Sequence, residues 1–134
     1  MRTAIVYKTR FGSTKKYAKW LSETLKCGLY EMDAVKTSSL EKYDRLVVMS
    51  GTYAGSMPLV DFLKKNWKEL GRKKIVMVAV GMLPEENLWS RINYWLIPGY
   101  VKNGAKYFKI RGEAKGSEPV KKENLKKVID YMKR

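Results

Sequence analysis

The chain contains no histidine and a single cysteine, Cys27. Without histidine, imidazole acid–base catalysis and His-ligated metal sites are excluded. One thiol can neither close an intrachain disulfide nor assemble a thiolate cage, which fits a reducing, cytoplasmic location. No apolar run approaches the roughly 20 residues that a membrane-spanning helix requires. The first strand begins almost at Met1, which leaves no room for a signal peptide. Acidic residues are scarce, 13 against 28 Lys and Arg, for a net charge of +15. With so few chemistry-bearing side chains, any redox or group-transfer reaction is expected to be carried by a cofactor.

What is present suits a folded domain. The 134 residues, 45% hydrophobic and 31% charged, allow one core and not two. No repeat or low-complexity linker divides them, so residues 1–134 read as a single domain. Apolar runs without alternation at Thr3–Tyr7, Arg45–Ser50 and Lys74–Val80 predict strands covered on both faces. Gly28–Met32 and Lys106–Arg111 predict two more. Between them lie helical spacings: Ser13–Lys26, a segment from Pro58 through Leu59, Leu63, Trp67 and Leu70 to Gly71, and Glu85–Val101 with an irregular end at Pro98-Gly99. Asp33–Tyr43 has room for one helical turn around Leu40. A last helix carries Leu125, Val128, Ile129 and Met132 inward, with Ser117 as its expected cap. Alternating strands and helices predict an α/β three-layer sandwich around a five-stranded parallel sheet.

Ligands of such sheets bind outside the carboxyl ends of the strands. Three loops fall there: Thr9–Thr14, Gly51–Met57 and Gly81–Pro84. The first runs from a strand into a helix, and a helix start offers unpaired N–H groups to an anion. Thr9, Ser13 and Thr14 supply hydroxyls, and Gly12 allows close backbone approach. The second loop presents Tyr53 among small residues, Ala54 and Gly55, where a ring can stack on a flat heterocycle. A phosphate at one end and a planar ring at the other describe a mononucleotide such as FMN.

The stretch Ile5-Val6-Tyr7-Lys8-Thr9-Arg10-Phe11-Gly12-Ser13-Thr14, with Ala18 and Leu21 beyond it, resembles the flavodoxin FMN-binding signature. Tyr43-Asp44, the strand to Gly51, and Thr52-Tyr53-Ala54-Gly55 are similar to that family's second flavin loop. The resemblance implies a flavodoxin-like fold with sheet order 2-1-3-4-5 and non-covalent FMN. It also implies that Thr9, Arg10, Phe11, Gly12, Ser13 and Thr14 form the phosphate loop. Thr52, Tyr53, Ala54 and Gly55 would flank the isoalloxazine, with Gly81 and Met82 closing the far side. Tyr107-Phe108-Lys109-Ile110-Arg111-Gly112 resembles a subgroup related to menaquinone-dependent protoporphyrinogen dehydrogenase. The chain departs from electron-shuttling flavodoxins in being basic, and its third loop lacks an aromatic partner unless Trp89 folds back.

The expected activity is that of a flavin redox protein, either an electron carrier or an FMN-dependent oxidoreductase. No side chain stands out as a catalytic acid or base. Positive charge around the flavin favours its anionic reduced form and so raises the potential above that of an acidic flavodoxin. The competing readings are a flavin-free binding module on the same fold and a basic nucleic-acid binder. The second ranks last, because the lysines are spread over several helices with no base-reading motif. An acidic redox protein or an anionic membrane surface, the latter making the chain peripheral to the inner membrane face, suits the charge. The aromatic run Leu88–Val101 either packs Trp89, Ile92, Trp95 and Leu96 on the sheet or forms a membrane-edge or quinone-contact surface.

Overall fold

In the computed structural model, which describes residues 1–53, 56–84, 86–113 and 117–134, five parallel strands form one sheet of order β2-β1-β3-β4-β5. The strands are β1 (Thr3–Lys8), β2 (Gly28–Glu31), β3 (Arg45–Gly51), β4 (Lys74–Gly81) and β5 (Ala105–Arg111). β1 pairs with β3 from Thr3–Arg45 to Lys8–Ser50, and β3 with β4 from Arg45–Lys74 to Gly51–Val80. The three central strands are buried on both faces, which is why their sequences do not alternate. The edge strand β2 alternates between half-buried and exposed positions.

Two helical layers cover the sheet. On one face, α1 (Ser13–Leu25) and α6 (Lys126–Met132) pack Tyr17, Leu21, Val128 and Met132 against Ile5, Val47, Met49, Val76 and Val78. On the other, α2 (Pro58–Lys65), α3 (Trp67–Leu70) and α5 (Gly99–Lys102) set Leu59, Leu63, Leu70 and Val101 against Val6, Val48 and Met77. Each such buried aliphatic side chain contributes about 1.5–3 kcal/mol. The β2–β3 connection holds only a 3-10 turn, Thr37–Leu40, as its short polar sequence requires.

Several expectations need correction. The segment after Pro58 is not one helix, because Asn66 turns its side-chain amide back onto the Phe62 carbonyl (2.9 Å) and separates α2 from α3. Gly71 does end the helical segment, as the C-cap of α3 in a right-handed conformation. Glu85–Val101 splits into α4 (Leu88–Trp95) and α5, because Pro98 takes an extended conformation between them. Asn87 rather than Glu85 starts α4: its side-chain oxygen accepts from the Trp89 N–H (2.9 Å), and Glu85 lies outside the described residues. Ser117 does not cap the last helix, which is entered through a 3-10 turn at Lys122–Leu125. Cys27 is half-buried, and burial raises its thiol pKa, consistent with a space-filling role.

One polar knot ties the two ends of the chain together beside the sheet. The Tyr17 hydroxyl donates to the Arg111 carbonyl and accepts from the Asn124 amide (2.9 Å). Burial raises the Tyr17 pKa. A raised phenol pKa contributes stability that is present below the unfolded value and lost as pH rises through the folded one. Tyr17→Phe should therefore destabilise the fold by about 1–3 kcal/mol at neutral pH, since it leaves two partners unpaired. Urea unfolding would show this, and also a shallower loss of stability above about pH 10 than the parent shows.

Candidate functional site

The loop between β1 and α1 is shaped by Gly12, whose φ of 99° and ψ of −20° lie in the left-handed region. The Gly12 N–H donates to the Thr9 hydroxyl oxygen (2.9 Å), folding the loop back on itself. The Gly12 carbonyl accepts the first helical bond, from the Lys16 N–H (3.1 Å). The N–H groups of Ser13, Thr14 and Lys15 consequently have no acceptor within α1. No acidic residue sits in the first turn to neutralise the positive helix end.

Arg10, Phe11, Ser13 and Thr14 line a cleft of about 320 Å³ at the carboxyl ends of β1, β3 and β4. Thr52, Tyr53, Gly81 and Met82 line it from the other loops. Thr9 and Gly12 are not on the wall; they set the loop's shape beneath it. Ala54 and Gly55 lie outside the described residues. On either side of them, Tyr53 and Ser56 exchange backbone hydrogen bonds of 2.9 and 3.2 Å, which holds the tyrosine's position. A Cβ on Gly81 would stand 2.2 Å from the Thr52 hydroxyl oxygen, so glycine lets the second and third loops touch at the cleft floor.

Arg10 lies on the cleft wall in the first loop. Its guanidinium carbon sits 5.3 Å from the Tyr53 ring centroid and 5.2 Å from that of Phe11. The cation therefore spans the junction between the anion loop and the ring end.

The sequence pattern missed Ser90, Asn93 and Glu113 on the wall but named Trp89 as the residue that could fold back. Trp89 folds back into the cleft and supplies the aromatic that the third loop lacks. Ser90 and Asn93, three residues apart on α4, also line it. Asn93 is only 6% exposed, and its Oδ1 has no hydrogen-bond partner among the described residues. Glu113 adds the one carboxylate of the described wall, but that charge is already engaged. It accepts from the Val120 N–H (2.9 Å) and the Lys16 ammonium (3.1 Å), and these bonds lower its pKa, the backbone one most. The available signal for Ser90 and Asn93 was their uncharged polarity at helical spacing inside a run otherwise aromatic and aliphatic except for Arg91.

A parallel five-stranded sheet with a helix-start anion site and an aromatic-walled slot at its carboxyl edge defines a doubly wound α/β nucleotide-binding architecture. The flavodoxin domain profile matches residues 4–123, and the chain belongs to that family. No curated protein sequence matches it. Among solved structures it is similar to oxidised flavodoxin 2 from Bacillus cereus, at 20% identity over 98% of this chain and 94% of that one, TM-score 0.62. A short-chain flavodoxin associated with a non-canonical PDU bacterial microcompartment aligns at 21% identity over 99% and 95%, TM-score 0.68. The flavodoxin of Streptococcus pneumonia TIGR4 aligns at 17% over 99% and 96%, TM-score 0.63. At these identities the likeness is one of fold.

The cleft fits the flavin the family implies. It offers unspent amides for a phosphate, a tyrosine and a tryptophan for a planar ring system, and a buried acceptor for a ring N–H. Asn93→Leu keeps the volume and removes the orphaned acceptor. It should weaken FMN binding about fivefold to tenfold while leaving the ligand-free protein as stable as the parent or more so. Fluorescence titration and thermal unfolding would read the two effects. Unchanged FMN affinity would remove Asn93 from the contact set.

Proposed function

We propose that this cleft holds FMN non-covalently and that the protein is a flavin redox protein, an electron carrier or an FMN-dependent oxidoreductase. The observation that carries the reading is the junction of two features in one cleft. The open helix start at Gly12 and the Tyr53–Trp89 slot share a wall at the switch point of the sheet. Bound FMN would supply reversible one- and two-electron chemistry. The chain's own residues bind and orient it. The Ser13, Thr14 and Lys15 amides would take the phosphate, with the Ser13 and Thr14 hydroxyls beside them. Tyr53 and Trp89 cover ring faces and exclude water, and Asn93 fixes the in-plane orientation.

The anion loop makes a discriminating demand. FMN should bind at least about a hundredfold more tightly than riboflavin, since losing the phosphate forfeits several charge-assisted hydrogen bonds. Flavin fluorescence quenching measures both. Equal affinities would refute the phosphate role of the loop, and a colourless protein indifferent to FMN would leave a flavin-free module on the flavodoxin fold.

Arg10 sits where its charge reaches the ring end as well as the phosphate. It is exposed, so solvent screening discounts its Coulombic effect. Arg10→Ala should lower the flavin midpoint potential by about 20 to 40 mV. Reductive titration of both proteins tests this, and an unchanged potential would confine Arg10 to binding the phosphate.

A further inference from the structure

Helix α4 is turned inside out. Its buried side chains are the polar Ser90 and Asn93, continued by Ile97. Most of its large apolar side chains face solvent, namely Leu88, Trp89 and Trp95, with Leu96 and Tyr100 beyond, while Ile92 is half-buried. Trp95 is 74% exposed and Trp89 49%. An ordinary surface helix does the opposite, and a contiguous exposed apolar face marks an interaction surface.

The charge around this face is mostly positive, with exposed Glu86 at its edge. From residue 87 to residue 112 there is no carboxylate, and Arg91, Lys102 and Lys109 lie beside α4, whereas the Lys106 ammonium sits over Phe108 and Tyr131 and the Arg111 guanidinium donates to the Glu118 and Pro119 carbonyls. Arg91 is exposed beside the tryptophans, and the Lys102 ammonium lies 4.8 Å from the Tyr94 ring centroid. Trp and Tyr with flanking Lys and Arg are the residue types that settle at the headgroup level of a bilayer. A second copy of this chain is a poor occupant, because pairing would press two cationic faces together on molecules of net charge +15. Among the described residues, no helix is long and apolar enough to cross a membrane, so attachment through this face would be peripheral.

We infer that the α4–α5 face is a docking surface for an anionic lipid bilayer. Trp89 and Met82 belong both to the exposed surface and to the cleft wall, and exposed Phe11 lines the cleft as well. Docking through α4 therefore brings the cleft mouth close to the lipid surface. The docking surface stands independently of the flavin reading.

The test is sedimentation of the full chain with vesicles of phosphatidylcholine alone or mixed with phosphatidylglycerol, with and without added FMN. The protein should pellet with the anionic vesicles and show quenching of tryptophan emission by brominated acyl chains. The double variant Trp95→Ser/Leu96→Ser should bind at least about tenfold more weakly. Lys121→Gln/Lys122→Gln, which removes two exposed charges far along the chain, should bind within about twofold of the parent, since each distant charge adds little. Equal binding by the serine variant would mean adsorption through scattered lysines and would overturn the inference. So would absence of vesicle binding, or self-association in its place that the serine variant abolishes. Failure to take up FMN with vesicle binding intact would refute the flavin reading alone.

Discussion

The backbone at Gly12 is the constraint on which the site depends. A parallel sheet delivers each strand's carboxyl end to the same edge, but it does not by itself make a binding site there. The left-handed turn at Gly12, pinned by the Thr9 hydroxyl, starts α1 abruptly beside the cleft and leaves the Ser13, Thr14 and Lys15 amides without a helical acceptor. A residue with a Cβ would resist that φ even though nothing crowds the position. The cost is therefore conformational rather than steric, and it falls on the one turn that sets the charge of the cleft.

The rest of the fold holds that turn in place. Tyr17, one helical turn into α1, is locked between the Arg111 carbonyl and Asn124. Glu113 reaches back to Lys16 at the start of the same helix. Ser50, buried at the end of β3, accepts the Leu59 N–H (3.0 Å) and fixes where α2 begins. Each loop at the carboxyl edge is thus tied to a neighbouring element through a hydroxyl or carboxylate. That is the support a site on loops needs to keep its geometry.

Much of this was legible from residue order. The central strands announced themselves because burial on both faces leaves an uninterrupted apolar run, as in Ile75–Val80. The abrupt strand-to-helix turn was legible because few residue types serve at such a turn, and Gly12, Ser13 and Thr14 are among them. What stayed hidden was orientation. Apolar spacing places a stripe on a helix but does not say whether the stripe faces the sheet or the solvent. For Leu59 and Leu63 it faces the sheet; for Leu88 and Trp95 it faces out. Helix ends were hidden too wherever a side chain competed for the backbone, as Asn66 does at Phe62.

The reversal of α4 follows from the needs of the cleft. Successive residues of a helix turn by about 100°, so Ser90, Asn93 and Ile97 share one side and Leu88, Ile92 and Trp95 another. Burying the tryptophans of so short a helix would rotate Asn93 away from the cleft wall and put its amide in water. Keeping Asn93 inside forces the apolar side outward, where it costs solubility unless something covers it. The buried orphan acceptor at Asn93 and the exposed ring of Trp95 are thus consequences of one helix rotation. Trp89 sits at the boundary between the two sides, on the cleft wall and yet half in solvent. A sequence that keeps apolar residues on such an outward side, and no carboxylate for 26 residues around it, has the composition of a contact surface rather than of a solvated one.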